Sequence, residues 1–416
     1  MPVEPRPRLG RAAEAVAVLA GPAMRGPLQD LLRSRGLRLQ RWEHLRSHHR
    51  PGGAVSALYR VQCRRTGPGS GPDVALTLHL GATTGDVAAD AASAGPDVAP
   101  ARIAGLDLRL WFHPHDPVLR SLPWATDADA VARDVFGAGG PARLSLVAYR
   151  PLRRAVIRAR HLDDAAYLKL LPREQLPALR RRHRLLEDSG VPAPRLLPGA
   201  SAAVPEAVIL SALPGTSLFR LLVEDDAAPL RPEVLLDLLE AMPSGALDLP
   251  LRRSWADRAE DYAAAAVAAL PRERDSIFEL AGGIRDVVES APAGPLVPVH
   301  GDFHEGNLLL SGGRVTGLLD IDGLGPGRRV DDLACLLGHL AVLAAANPSR
   351  PQLGQALADF RRVFEDTADP SALNARAAGV VLTLVSGARA ANGRSRTQNA
   401  GIRLAAAQRL LRAADR

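Results

Sequence analysis

The sequence has 416 residues, 47% of them hydrophobic, and this length is sufficient for two or three packed domains. The net charge of +7 suggests nucleic-acid binding. However, the arginines are dispersed among 45 acidic residues, and only 4% of residues are aromatic. We therefore favour a solvated Arg-rich surface and expect no nucleic-acid partner. No apolar run approaches the ~20 residues of a membrane span, and two cysteines are too few for a disulfide framework. We therefore expect a cytoplasmic protein without a membrane partner.

Residues 1–140 are predicted to form a separate α/β domain. Helical patterns occur at about 10–19 and 26–35, and strand-like alternation at 54–65, 73–80 and 101–112. The FGAGGP sequence at 136–141 predicts the boundary. His113 and His115 beside Asp116 resemble half of a metal site, but the sequence offers no second cluster to complete it, so we expect no metal there. The sequence indicates no chemistry for this domain.

Residues 141–213 are predicted to form a small β-rich domain. Three short strand patterns joined by tight turns precede a helical pattern at about 173–189 and a further strand, EAVILSAL.

Lys169, in the third strand pattern, is the only lysine, since one of 52 basic residues is Lys and 51 are Arg. The lysine side chain ends in a compact ammonium group on a flexible stem, whereas the arginine side chain ends in a wide planar guanidinium group. The survival of one lysine in an arginine-rich chain indicates a site that requires the narrower cation.

Residues 214–416 are predicted to be mostly helical. Helical patterns occur near 231–242, 254–270, 331–346, 352–365, 374–391 and 398–413. A non-helical segment at 298–330 contains NLLLSGGRVTGLLDID, in which two apolar arms flank a Ser-Gly-Gly turn. Because glycine readily adopts the positive φ of tight turns, this sequence predicts a β-hairpin.

Polar side chains stand at the ends of the predicted hairpin. A hairpin returns its ends to the same place, so Asn307 and Asp320 should converge. Their amide and carboxylate oxygens suit Mg²⁺. Asp302, five residues before Asn307, would lie beside that metal, where a carboxylate can accept the proton of an incoming hydroxyl.

The HGDFHEGN sequence, followed by LLDIDGLGPGRRVDDLA, closely resembles the motifs of the aminoglycoside phosphotransferase family, small-molecule kinases with the protein-kinase fold. The resemblance covers roughly residues 142–416. It implies an α+β, protein-kinase-like bilobal fold, with a small β-rich lobe at 141–213 and a larger helical lobe at 214–416. The additional N-terminal domain at 1–140 is weakly similar to the cap of some sugar kinases.

The resemblance also implies roles for individual residues around the catalytic loop. Asp302 corresponds to the catalytic base, and Asn307 and Asp320 correspond to the metal ligands. Asp332 corresponds to a residue that braces the loop, so its role is structural. Asp322 is either a second metal or water ligand or a hairpin cap. His300 and His304 either shape the loop or are ordinary core histidines.

ATP and Mg²⁺ are the cofactors that the resemblance implies. Lys169 would hold the α and β phosphates of ATP, and Ser211 and Leu213 would offer backbone groups to adenine. Kinases of this fold pair the strand lysine with a helix glutamate, but the helix here reads RRRHR at 180–184. Either Glu174 substitutes, or the phosphates alone position the lysine. The expected phosphate loop, YRPLRRAV, also contains no glycine.

The sequence thus predicts an O-phosphotransferase that acts on a hydroxyl of a small molecule. The acceptor could be an aminoglycoside or another antibiotic, a sugar or a related metabolite. Acidic residues at 224–226 and at Asp257, Glu260 and Asp261 could line a pocket for a polycation, or simply lie on solvated helix faces. The alternative function is a nucleotide-binding pseudokinase or scaffold, which the missing helix glutamate would favour.

Overall fold

The computed structural model of the protein describes residues 9–49, 54–65, 75–85, 98–197, 206–224 and 231–414. The chain divides into two compact units. The first contains Met1–Pro177 and Leu196–Ala212, and the second contains Ala178–Arg195 and Leu213–Arg416. Both units combine helices with antiparallel strands, so the predicted α+β class is confirmed. Among the described helices, none combines the length and hydrophobicity needed to cross a bilayer.

The first unit begins with two helices that pack on a five-stranded antiparallel sheet. The helices are α1 (Leu9–Ala20) and α2 (Arg25–Arg33), and the strands are β1 (Leu37–His49), β2 (Val55–Arg65), β3 (Leu76–Thr83), β4 (Val98–Ile103) and β5 (Leu106–Phe112). The strand order is β1-β2-β3-β5-β4. Leu19 and Leu28 of the helices are buried in one cluster with Tyr59 of β2. The Tyr59 hydroxyl donates to the Leu19 carbonyl oxygen at 2.7 Å, so its burial leaves no polar group unpaired.

A second, four-stranded antiparallel sheet follows in the same unit. Its strands, in spatial order, are β6 (Arg143–Arg150), β7 (Arg154–His161), β8 (Asp164–Leu170) and β9 (Val208–Ser211). Two short helices, α3 (Leu122–Ala125) and α4 (Ala128–Phe136), precede the sheet. Leu122 and Val131 of these helices share a buried cluster with Ile157 and Leu168 of the sheet. The residues before position 140 therefore contribute to the core of the second sheet.

Helix α5 (Leu176–Ser189) leads from the first unit into the second. The second unit also contains α6 (Leu218–Val223), α7 (Glu233–Glu240), α8 (Ala259–Ala269), α9 (Arg274–Ser290), α10 (Arg329–Ala346), α11 (Pro351–Glu365), α12 (Pro370–Val385) and α13 (Arg396–Ala414). Helices α10 and α12 are buried along most of their length and form the centre of the unit's core.

Five short strands in the second unit carry the loops of interest. They are β10 (Thr216–Ser217), β11 (Leu296–Val299), β12 (Leu308–Ser311), β13 (Arg314–Leu318) and β14 (Gly325–Arg328). Strand β12 lies between β10 and β13, and β11 pairs with β14. All of these pairings are antiparallel.

The structure corrects several details of the predicted elements. The predicted strand at 101–112 is a hairpin of β4 and β5, because Ala104 and Gly105 adopt left-handed conformations with φ of 48° and 77°. Strand β1 and helices α3, α4 and α9 were not predicted at all.

Gly81 on β3 provides a test of core packing. It lies opposite Trp111 of β5, and a Cβ atom at position 81 would be 2.2 Å from the buried indole ring. We expect Gly81→Ala to lower the free energy of unfolding by about 1–3 kcal/mol, because the indole has no room to move. The control is Gly354→Ala in α11, an exposed helical position where a Cβ atom would meet nothing within 4 Å. This substitution should stabilise the protein by roughly 0.5–1 kcal/mol. Urea unfolding measures both, and equal stability of wild type and Gly81→Ala would contradict this packing.

Candidate active site

The β12–β13 hairpin brings together two of the predicted site residues. Gly312 and Gly313 form its turn with φ of 57° and 74°, as the turn sequence predicts. At the other end, the Leu319 N–H donates to the Asn307 carbonyl oxygen at 2.8 Å. Asn307 and Asp320, the residue after Leu319, therefore end the two arms at the same place.

Asn307 is also tied to the segment that carries Asp302. Its Nδ2 amide donates to the Asp302 carbonyl oxygen at 2.9 Å, and its own N–H donates to the His304 carbonyl oxygen at 2.9 Å. Since the Asn307 nitrogen is used in this way, its side-chain oxygen points elsewhere and is the atom that can bind a cation. Asp302 and Asp320 are each half-buried. Asp302, Asn307 and Asp320 thus lie near one another at the base of the hairpin.

His300 links the same loop to the end of the hairpin. Its Nδ1 atom accepts the Asp302 N–H at 3.3 Å, and its Nε2 atom lies 2.9 Å from the Leu319 carbonyl oxygen. These partners require the neutral tautomer with the proton on Nε2. Burial lowers the pKa of His300, which is consistent with that neutral form. His300 is therefore a structural link between the loop and the hairpin.

The loop is braced at its start by Asp332, in the first turn of α10. The Asp332 carboxylate accepts the N–H groups of His300 at 2.7 Å and Gly301 at 2.9 Å. Gly301 has φ of 79°, and a Cβ atom there would lie 2.8 Å from the Gly323 carbonyl oxygen. Glycine is required at this close approach of two backbone segments.

Helix α5 contributes buried basic side chains to the second unit. Arg182 is 4% exposed, and its Nε atom donates to the Leu324 carbonyl oxygen at 2.9 Å. The neighbouring His183 is buried, with its Nδ1 atom 2.7 Å from the Pro194 carbonyl oxygen. Arg182 of α5 therefore holds the turn after Asp320. No local sequence pattern predicts this contact, because the two residues are 142 positions apart in the chain.

Lys169 lies on β8, in the first unit. It is 6% exposed and stands between Val156 of β7 and Val208 of β9. Ser211, at the end of β9 in the same unit, is half-buried, whereas Leu213 belongs to the second unit. Glu174, the candidate partner of the lysine, is exposed in a 3₁₀ turn. The lysine is thus enclosed within the sheet and is not an exposed surface residue.

The acidic residues considered for a polycation pocket contact arginines of the second unit. Glu260 lies 2.6 Å from Arg285 and Asp261 lies 3.6 Å from Arg253, measured between the charged atoms. Asp257 likewise lies 3.7 Å from Arg376, and Glu224 lies 2.8 Å from Arg220. Asp225 and Asp226 lie outside the described residues. These ion pairs neutralise much of the negative charge that a polycation would need.

His304, Glu305 and His339 form a compact group that sequence inspection missed. The Glu305 Oε2 atom lies 3.7 Å from His304 Nδ1 and 3.4 Å from His339 Nδ1. The two imidazole rings stack with centroids 4.4 Å apart and planes within 14°. The in-plane lone pairs of parallel rings do not converge, and in neutral His304 the Nδ1 atom accepts the Gly306 N–H at 3.1 Å. The group is therefore better described as a buried carboxylate between two imidazoles than as a metal site.

This group should make stability depend on pH. The two imidazoles hold the pKa of Glu305 well below 4.5 against the effect of burial, and Glu305 raises the pKa of His304 above 6.5. The stabilisation is therefore complete between pH 4.5 and 6.5, and is lost as Glu305 protonates at lower pH or as His304 deprotonates at higher pH. We expect Glu305→Gln to lower the melting temperature more at pH 6 than at pH 8.5. Glu279→Gln, on an exposed face of α9, is the control. A Glu305→Gln effect that is the same at both pH values would contradict this coupling.

Comparisons with known proteins add independent information. The model of the family described as "Phosphotransferase enzyme family" (APH) matches residues 154–375, which is more than half of the chain. The search of curated proteins found no match.

Several solved structures also match this chain at low sequence identity. A thermostable mutant of aminoglycoside phosphotransferase APH(4)-Ia is 15% identical, with 68% of this chain and 98% of that chain covered and a TM-score of 0.46. Streptomyces rimosus APH(3'')-Id, in complex with ADP and streptomycin, is 22% identical, with 61% and 97% covered and a TM-score of 0.43. Plasmodium vivax ethanolamine kinase is 10% identical, with 67% and 87% covered and a TM-score of 0.43. The family match confirms the resemblance seen in the sequence motifs, and this chain belongs to the phosphotransferase enzyme family.

Proposed function

We propose that this protein is an ATP- and Mg²⁺-dependent O-phosphotransferase that acts on a hydroxyl of a small molecule. The observation that carries the proposal is the convergence of Asp302, Asn307 and Asp320 at the base of one hairpin, inside the segment that the family model matches. The Leu319 N–H···O=C Asn307 bond closes that hairpin beside Asp320.

Asp302 is the proposed general base. As the acceptor oxygen forms its bond to the γ-phosphorus, the bond from that phosphorus to the leaving ADP breaks, and Asp302 takes the hydroxyl proton. The products are the phosphorylated acceptor, ADP and one proton. Because phosphoryl transfer passes through a loose transition state, most of the rate enhancement comes from positioning and charge neutralisation. The backbone bonds around His300 and Asn307 hold this loop in place for that purpose.

Asn307 and Asp320 are the proposed ligands of Mg²⁺. Their donor atoms are an amide oxygen and a carboxylate oxygen, which match the preference of this ion for hard oxygen ligands. The half-buried position of Asp320 leaves room for water and phosphate oxygens to complete the coordination. When bound, the ion neutralises negative charge on the phosphates.

Lys169 is proposed to bind the α and β phosphates of ATP, and Ser211 and Leu213 to offer backbone groups to adenine.

The acceptor is proposed to be a hydroxylated antibiotic, sugar or related metabolite. The ion pairs around Glu260 and Asp261 weaken the case for a polycation, so neutral acceptors belong in any panel beside aminoglycosides. The test is ATP consumption across such a panel, with the phosphorylated product identified by mass spectrometry. ATP binding without turnover on any acceptor would favour the pseudokinase or scaffold alternative, which the absence of a glutamate from the middle of α5 also favours.

Asp302→Asn tests the base. We expect kcat to fall by roughly 10²–10⁴-fold, because the amide cannot accept the hydroxyl proton. ATP affinity should change little, since the substitution preserves the shape of the side chain and the backbone bonds of the loop. Asp359→Asn, on α11, is the surface control. Turnover of Asp302→Asn at the wild-type rate would remove this residue from the mechanism.

Lys169→Arg tests whether the site requires a narrow cation. The site is almost closed, so a guanidinium must displace either the phosphates or a neighbouring strand. A displacement of about 1 Å can cost on the order of 10²-fold in rate, and we expect at least this loss in kcat/KM for ATP. Lys169→Met, which removes the charge, should be no more active. Full activity of Lys169→Arg would show that the single lysine has no special role.

A further inference from the structure

The proposed base is preceded by Gly301, and three hydrogen bonds fix the peptide groups on either side of this glycine. The Gly301 N–H donates to the Asp332 carboxylate at 2.9 Å, and the Gly301 carbonyl oxygen accepts the indole N–H of Trp255 at 3.1 Å. The Asp302 N–H, which belongs to the same peptide unit as that carbonyl group, donates to His300 Nδ1 at 3.3 Å. Glycine restricts its own backbone less than any other residue. These bonds therefore set the orientation of the peptide that leads into Asp302.

The Trp255 ring is half-buried, and neighbouring side chains hold it. The Arg258 guanidinium carbon lies 4.5 Å from the centre of the indole, which is a cation–π contact. The Arg258 Nε atom also donates to the Ser254 carbonyl oxygen at 3.4 Å. The centre of the Tyr262 ring, on α8, lies 6.1 Å from that of the indole. A packed ring therefore presents the indole N–H to Gly301.

The turn that carries Trp255 is fixed by its own side chains and by α12. The Ser254 N–H donates to the Asp257 carboxylate at 2.9 Å, and the Asp257 N–H donates to the Ser254 hydroxyl oxygen at 3.2 Å. Helix α12 packs closely against this turn, because a Cβ atom at Gly379 would lie 2.8 Å from the Cα atom of Ala256. The turn therefore holds the indole at a fixed place on the helical core.

One guanidinium on α12 joins this turn to the start of α10. Arg376 is 5% exposed, and its Nη1 atom lies 2.6 Å from a carboxylate oxygen of Asp331 and 3.7 Å from one of Asp257. The same nitrogen lies 3.5 Å from the Ser254 hydroxyl oxygen. Asp331 is adjacent in the chain to the aspartate that accepts the Gly301 N–H. Arg376 therefore holds together the two elements that contact Gly301.

We propose that Trp255 is a positioning residue for the proposed base. Its indole N–H fixes the Gly301 carbonyl group, and Arg376 keeps the two elements that contact Gly301 in place relative to each other. The inference rests on the proposed function for the role of Asp302. A tilt of the peptide before Asp302 would move its carboxylate away from the acceptor hydroxyl, and small displacements of reacting groups are costly in rate. The indole should therefore affect the chemical step and not the affinity for ATP.

Trp255→Phe keeps an aromatic ring and removes the N–H donor. We expect kcat to fall by about tenfold, which corresponds to the loss of one hydrogen bond in the transition state, while KM is unchanged for ATP and for the acceptor. The assay is ADP release from Mg·ATP with the acceptor that the panel identifies, or with water where it identifies none. A higher KM for the acceptor at unchanged kcat would overturn the positioning role, because the indole would then be an acceptor contact.

Trp124→Phe is the matched control. The Trp124 indole, on α3 of the first unit, is also half-buried and also donates one hydrogen bond, to Asp134 at 2.8 Å. The kcat of this variant should equal that of wild type. A loss as large as in Trp255→Phe would mean that the effect follows from any lost indole hydrogen bond, and the assignment of a specific role to Trp255 would be wrong.

A double-mutant cycle shows whether Trp255 acts through Asp302. Residues that act as a unit in catalysis have non-additive effects. In the Asp302→Asn background, where the base is already absent, Trp255→Phe should change kcat by less than about twofold. A further loss as large as in the wild-type background would show that the indole acts independently of the base, and the positioning role would be wrong.

Hydrogen exchange tests the same contacts without turnover. In Trp255→Phe, the Asp302 amide should exchange faster than in wild type, because its peptide unit has lost one hydrogen bond. Ser254→Ala removes a hydroxyl that holds the turn and lies against Arg376, so it should accelerate exchange of the Trp255 indole N–H. Ser290→Ala, at the exposed end of α9, is its control. Exchange as slow as in wild type in either test variant would contradict the positioning network.

The experiments separate this inference from the proposed function. If the wild-type protein phosphorylates an acceptor and Trp255→Phe does so with the same kcat, the positioning role is wrong while the proposed function stands. If Asp302→Asn is as active as wild type, the proposed base is wrong, and this inference fails with it. If the wild-type protein releases no ADP from Mg·ATP, the proposed function fails, and the inference also fails.

Discussion

The buried carboxylate of Asp332 organises the loop that carries the proposed base. Removing a carboxylate from water is costly, and burial raises the pKa of Asp332 to about 7. The N–H groups of His300 and Gly301 and the start of α10 lower this cost, since both present positive partial charge to the carboxylate. These two N–H groups immediately precede Asp302. The conformation of the loop therefore depends on a carboxylate that lies 32 and 31 residues further along the chain than the two N–H groups it accepts.

Asp320 is held in a conformation that its own backbone disfavours. It adopts the left-handed region at φ of 53° and ψ of 51°, which costs on the order of 1–2 kcal/mol for a residue with a Cβ. The residue before it, Leu319, is fixed on both sides, because its N–H donates to Asn307 and its carbonyl oxygen lies against His300. The strain persists because the surrounding bonds over-determine the backbone. The carboxylate is thus placed before any cation or phosphate binds.

Local sequence patterns predicted the hairpin but missed other elements for identifiable reasons. The hairpin is a local feature, and its glycines and apolar arms are adjacent in the sequence. Strand β1 has register shifts between Leu39 and Arg41 and between His44 and Arg46, which break the period-two alternation that would reveal a strand. Helix α9 contains a Gly-Gly pair that argues against a helix, yet a Cβ atom at Gly283 would lie 2.9 Å from Leu411 of α13. There, helix packing outweighs helix propensity.

The sequence could predict candidate site residues, but not the groups that position them. Asp302, Asn307 and Asp320 lie in one short segment, whereas the contacts of Asp332 and Asp116 span 32 and 36 residues. Each unit contains a buried aspartate that accepts at least one backbone N–H from a distant loop. A carboxylate suits this task because it only accepts, so two oxygens can satisfy several donors, whereas an amide would turn a donor toward some of them. The candidate site residues of a loop can therefore be predicted from the sequence of that loop. The residues that fix its conformation lie elsewhere in the chain.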